Sequence, residues 1–112
     1  MVTPLIAATF RRLGPENAPA LAAVMGDGDL AEIHKRFESG RSCYTAWVEG
    51  QLTAYGWVSF KEEFIGELSL RLRLSPGEAY IWDCATVPAY RQKRLFSALL
   101  AYMLGELRLE PL

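Results

Sequence analysis

From Leu68 to Leu74 every second residue is leucine, and the positions between them, Ser69, Arg71 and Arg73, are polar. A period of two puts alternate side chains on opposite faces of a strand, so the spacing predicts a strand with one buried and one wet face. Ser75-Pro76-Gly77-Glu78 then turns the chain into "AYIWDCATV", a further strand over 79–87. Upstream, "SCYTAWVE" and "LTAYGWVSFK" are rich in β-branched and aromatic residues and are joined by Glu49-Gly50-Gln51, a hairpin signal. Gly56, inside the second of them, marks a bulge. A shorter strand is expected over Ile6 to Leu13.

Where the period lengthens, helices are expected. Gly14-Pro15 ends the first strand, Glu16 and Asn17 suit a first helical turn, and Ala18, Leu21, Ala22 and Met25 supply an apolar face. "GDGD" at 26–29 breaks that helix. Asp29 can cap a second one in which Leu30, Ile33 and Phe37 recur at helical spacing and which Gly40 ends. A last helix is read over 92–108, where Leu95, Phe96, Leu99, Leu100, Met103, Leu104 and Leu107 cover so much of the circumference that it is expected to be the most buried helix, packed on the sheet. The order β, α, α, four strands in hairpins, α describes an α+β domain of three-layer type. No repeat or low-complexity linker divides it, so residues 1–112 form a single domain.

Composition narrows the chemistry. With 51% hydrophobic and 22% charged residues, a chain of 112 residues is an ordinary globular domain. Its 12 basic and 13 acidic residues nearly cancel. That leaves no global basic field for a nucleic-acid backbone, and any anion site must be local. Two cysteines, Cys43 and Cys84, offer neither a disulfide framework nor a tetrahedral zinc site, and a reducing cytoplasm is the expected home. "MVTPLIAATFRR" has no basic n-region and too short an apolar run for a signal peptide or a membrane span, so no membrane partner is expected.

Several activities fall away on motifs. There is no G-x-G-x-x-G after a strand, no Walker phosphate loop, no H-E-x-x-H and no paired C-x-x-C. His34, the one histidine, is read as a surface or loop-packing residue, and Arg71 and Arg73 as the solvated face of a sheet. Cys84 is read as a small core residue and not as a nucleophile. Arg91, Lys93 and Arg94 remain to be explained. They open the last helix, where the macrodipole and unpaired N–H groups already favour negative charge, and each costs up to about 1 kcal/mol there. An anion would convert that cost into a binding site.

The run "IWDCATVPAYRQKRLFSALL" resembles the acyl-CoA-binding motif of the GNAT acyltransferases: a strand, often ending in V-x-P-x-Y-R, then Q/R-x-x-G-x-G/A and a helix. The β-α-α-β-β-β-α order and the "GPENAPALAAVM" first helix are similar to the N-terminal portion of that fold, so the resemblance spans roughly residues 5–108. It implies a mostly antiparallel sheet flanked by helices, with the C-terminal part of the fold missing. It further implies that acetyl-CoA is the co-substrate and that no metal is needed. The pyrophosphate would be held at Arg91, Gln92, Lys93, Arg94, Leu95, Phe96 and Ser97, and the pantetheine arm along the main chain of the strand at Cys84 and Thr86. Arg91 fills the Q/R position. Arg94 stands where glycine is usual and Phe96 where glycine or alanine is usual. Arg94 therefore either narrows the cradle or adds a phosphate contact.

By the same resemblance the chain is an N-acetyltransferase, or a fragment of one, moving an acetyl group from acetyl-CoA to a primary amine on a small molecule or peptide. The alternative is a non-catalytic half-domain that binds CoA or self-associates. Asp83 stands where related sequences often carry a carboxylate base, with Tyr80, Glu78 and Glu62 as other local candidates. A structural reading of Asp83, hydrogen-bonded within the sheet, is equally open. A strand at 79–87 without its usual neighbour and an over-apolar last helix imply a homodimer.

Overall fold

The computed structural model describes residues 6–25, 30–65, 70–74 and 78–109. Strand β1 (Thr9–Leu13) pairs antiparallel with β2 (Ser42–Val48), setting Leu13 against Cys43 and Thr9 against Trp47. β2 turns directly into β3 (Gln51–Ser59). The turn is Glu49-Gly50, and both residues take positive φ, 50° and 79°, the geometry whose twist matches a two-residue hairpin. Two short strands, β4 (Glu62–Ile65) and β5 (Leu70–Arg73), form a separate antiparallel ribbon, and the chain rejoins the main sheet in β6 (Tyr80–Thr86). The main sheet therefore runs β1-β2-β3-β6 and is antiparallel throughout.

Helices α1 (Ala18–Val24) and α2 (Leu30–Glu38) cover one face, and α3 (Leu95–Leu109) covers the other. Leu21, Ile33, Cys43 and Trp57 are fully buried on the first side. Tyr44, Ala46, Val58, Leu99 and Met103 are fully buried on the second. β3 is buried on both faces, as the middle layer requires.

Two irregularities aim the side chains. Across β2 and β3 the pairing steps from Ala46–Ala54 to Trp47–Leu52, leaving Thr53 as an extra residue. Leu52 and Ala54 thus lie on opposite faces although they share a parity. Thr53 is not idle in this position: its hydroxyl donates to the Ala46 carbonyl at 3.0 Å and its own carbonyl accepts from Val87 N–H at 2.8 Å. The second bulge is in β6, where Asp83 and Cys84 together face the single residue Gly56.

The structure corrects three expectations. The alternating segment pairs with Glu62–Ile65, which the sequence did not mark as a strand, and not with the strand that follows it. Its Leu68 and the turn at 75–77 lie outside the described residues, as does Asp29, the expected cap of α2. The last helix begins at Leu95 and not at residue 92, because Gln92 and Arg94 both adopt left-handed backbone, φ 63° and 59°, which cannot continue a right-handed helix. The bulge signalled by Gly56 belongs to the opposite strand, with Gly56 as the residue that makes room for it.

Candidate active site

After β6 the chain makes a short 3-10 turn, Pro88–Tyr90, and then an irregular loop of four residues before α3. The loop is tied back to the strand it leaves. Val87 accepts from Tyr90 N–H at 2.8 Å, Arg91 Nε donates to the Thr86 carbonyl at 3.1 Å, and the Tyr90 hydroxyl donates to Gln51 Oε1 at 3.2 Å. The intrahelical ladder starts only with Ala98 N–H on the Arg94 carbonyl, at 3.1 Å. The N–H groups of Leu95, Phe96 and Ser97 lie ahead of it, at the positive end of a 15-residue dipole.

These residues surround a cleft of about 520 Å³ lined by Thr86, Tyr90, Arg91, Gln92, Arg94, Leu95, Phe96 and Ser97. Seven of the sequence-predicted cofactor residues are thus brought together. Lys93 is exposed beside the cleft without lining it. Cys84 lies apart, on β6 facing α3, where its Sγ would be 3.2 Å from a Cβ placed on Gly56. Arg91, Lys93 and Arg94 precede the helix and do not form its first turn, so they add charge in front of the dipole. Left-handed backbone at Arg94 is the conformation glycine adopts without steric cost, which accounts for the glycine usual at this position of the motif the sequence resembles. Phe96, in the first turn, is half-buried and fills part of the cradle. Two guanidinium groups, a helix start and a loop folded around them fit a phosphate-bearing ligand.

Asp83, the predicted base, sits at the apex of the β6 bulge with φ 46°. The bulge lets Trp82 and Asp83 both lean towards α2, where Arg36 meets them. Arg36 Nη1 donates to Asp83 Oδ2 at 2.6 Å, and its Nε to Glu32 Oε1 at 3.3 Å. Its Cζ lies 5.0 Å from the Trp57 ring and 4.6 Å from the Trp82 ring. Trp82 is fixed in turn by donating Nε1 to Ser59 Oγ at 2.8 Å. The Asp83 side chain keeps 34% of its surface exposed while that of Arg36 keeps 11%. Tyr80 is half-buried at the start of the strand and Glu78 is exposed before it. Burial raises the Cys84 thiol above its usual range, which keeps it protonated and unsuited to nucleophilic attack. Burial likewise raises the Tyr55 hydroxyl.

The sequence reading missed Arg36, and with it the Trp57–Arg36–Trp82 stack. One signal existed: Arg36 follows Ile33 by three residues and so shares its buried side of α2. Tyr90 was also missed as a cleft residue, although it is the tyrosine of the V-P-A-Y-R run.

A sequence profile of the Acetyltransferase (GNAT) family matches residues 9–110. The chain belongs to the GNAT acetyltransferases. Among solved structures, the GNAT domain resembles ribosomal-protein-alanine N-acetyltransferase from Brucella melitensis biovar Abortus 2308, with a TM-score of 0.68 at 16% identity over 89% of this chain and 71% of the other. The ribosomal-protein-S18-alanine N-acetyltransferase from Escherichia coli gives 0.67 at 16% identity, over 90% of this chain and 59% of its own. A predicted acetyltransferase with acetyl-CoA from Clostridium acetobutylicum gives 0.63 at 13% identity, over 91% and 74%. No curated protein matches. At these identities the neighbours establish that the sheet, its flanking helices and the loop before α3 form a GNAT fold, with the expected α+β layers.

Proposed function

We propose that this chain is an acetyl-CoA-dependent N-acetyltransferase acting on a primary amine. The observation that carries the reading is the cleft at Thr86–Ser97: two guanidinium groups and a helix start at one end of β6, with the Asp83 carboxylate three residues back along the same strand. Acetyl-CoA supplies the acetyl group as a thioester. Arg91, Arg94 and the N–H groups of Leu95 to Ser97 hold its phosphates, and the outer edge of β6, which among the described residues pairs with β3 alone, offers main-chain groups to the pantetheine arm. Asp83 takes the proton of the incoming amine as the C–N bond forms and the C–S bond breaks, and that proton ends on the departing thiol.

A second reading is favoured by one specific contact. The 2.6 Å bond from Arg36 gives Asp83 a structural use, bracing the bulge, in a domain that binds CoA without turning it over. Two measurements decide between them. Titration calorimetry with acetyl-CoA should show binding that Arg91→Glu weakens by about 1–3 kcal/mol, the worth of a charge-assisted contact. Thiol release with an amine present should rise with pH and fall about 100-fold or more in Asp83→Asn while binding is retained. Binding with equal turnover in Asp83→Asn removes Asp83 from the chemistry, and absence of heat from folded protein overturns the proposal.

A further inference from the structure

At the opposite end of β6 from the phosphate cleft there is a second cavity, of about 250 Å³, lined by Ser39, Gly40, Arg41, Ser59, Phe60 and Lys61. It forms where the turn after α2 meets the end of β3. Ser59 stands opposite Tyr80, the first residue of β6. Six residue steps along that strand, from Tyr80 to Thr86, therefore separate the two clefts, about 20 Å, with Asp83 roughly midway.

The walls of this cavity are chemically one-sided. None of its six lining residues is acidic, and two are cationic. Arg41 is not a loose surface charge: it is half-buried, its Nη1 donates to Ser39 Oγ, and its Cζ lies 5.8 Å from the Trp82 ring. Ser39 is itself anchored by donating its hydroxyl to the Arg36 carbonyl at 2.9 Å. Lys61 approaches from the other side at the mouth of the β4–β5 ribbon, where its carbonyl accepts from Leu74 N–H. A pre-positioned guanidinium and a lysine that line one small cavity make a receptor for one anionic group. A neighbouring cleft of about 280 Å³ shares Gly40 and Arg41 and adds Arg12.

We infer that the cavity selects the acceptor: the amines acetylated here carry, about 10 Å from the reacting nitrogen, a carboxylate or phosphate that Arg41 and Lys61 bind. The inference rests on the acetyltransferase reading above and names its substrate class. With nitrogen at Asp83 and anion at the cavity, the acceptor lies along the first half of β6, and the co-substrate along the second half.

The test uses matched pairs that differ in one charge: 6-aminohexanoate against 6-aminohexanamide, and 6-aminohexyl phosphate against 6-aminohexanol. For each, kcat/KM is measured by thiol release, and equilibrium binding is followed by the amide shifts of Ser39 and Ser59. The anionic member should be preferred about tenfold or more, which is the effect of one charge-assisted hydrogen bond. The ratio should collapse towards one in Lys61→Gln and in Arg41→Gln, and the two pairs show whether the site takes carboxylate or phosphate. Equal binding of charged and neutral members, or a preference untouched by both substitutions, overturns the inference. Because binding is read without turnover, a protein that binds the anionic amines selectively yet transfers no acetyl group refutes the proposed function and leaves the anion site standing.

Discussion

Arg94 combines a departure from the family motif with left-handed backbone. At φ 59° an L-residue bears a steric cost of about 1–2 kcal/mol that glycine escapes, whereas glycine gives back about 0.4–1 kcal/mol through the freedom of its unfolded chain. Arg94→Gly should therefore leave stability in urea unchanged or raise it by up to about 1.6 kcal/mol. Arg94→Val, which adds β-branching in the same region, should lower it by at least about 1 kcal/mol. That contrast cannot arise from charge alone, since both variants lose the guanidinium. At this scale the sequence showed which positions break the glycine rule. It could not show that Gln92, where no glycine is expected, shares the left-handed conformation, because that follows from the loop being tied to Thr86 and Val87 at one end and to α3 at the other.

At the scale of elements, α3 binds the sheet through an aromatic contact that is sensitive to alkali. Tyr102 stacks on Phe10 at 5.7 Å and meets Tyr44 edge-on at 6.2 Å. Burial, together with a hydrogen bond to Glu106 and the charge of that residue, pushes the Tyr102 hydroxyl up to about 12. The unfolded chain releases this proton near pH 10, while the folded one retains it to higher pH. The contribution is therefore complete below pH 10 and is lost as pH rises through about 12. Unfolding midpoints in urea between pH 9 and 12 should fall steadily, and Tyr102→Phe should flatten the upper part of that decline. The remaining slope belongs to Cys43 and Cys84 from about pH 9 and to Tyr55 from about pH 10, all three being raised by burial. Helical periodicity located α1, α2 and most of α3, each of which turns one apolar stripe to the sheet, while β-branched and aromatic content located β2 and β3, which are buried on both faces and show no alternation. It failed on β4, where "EEFI" is too short to show a period, and on the pairing of β5, which depends on a ribbon set apart from the main sheet.

For the whole molecule, apolar surface remains on one side. Phe96, Leu100, Leu104 and Leu107 share a flank of α3 roughly 100° round from Leu95, Leu99 and Met103. The latter three are buried under the sheet, whereas Leu104 is 46% exposed and the others are half-buried. Charge favours antiparallel packing of two such flanks: Lys93, outside the phosphate cleft, precedes the helix, and Glu106 lies near its end. A two-fold axis would set each against the other and oppose the two dipoles. Light scattering at micromolar concentration should give about twice 12.5 kDa, and Leu104→Glu should return the mass to a single chain without loss of folding. A single-chain mass for the unmodified protein would show that the flank stays in water. The sequence pointed to this surplus of leucine on α3. It could not divide the helix into a flank against the sheet and a flank left over, since that depends on how α3 lies across β2 and β3.

Arg36 is attached to more of the molecule than its place on a short helix suggests. Its guanidinium lies against tryptophans from two strands, and its ion pair reaches a residue 47 positions away. The carbonyl of the same residue holds Ser39, and Ser39 holds Arg41. A single side chain and its own backbone thus act as a rigid strut from the wall of the cavity below α2 to the apex of the β6 bulge. Through these contacts the position of α2 and the aim of the carboxylate at that apex are set by one residue.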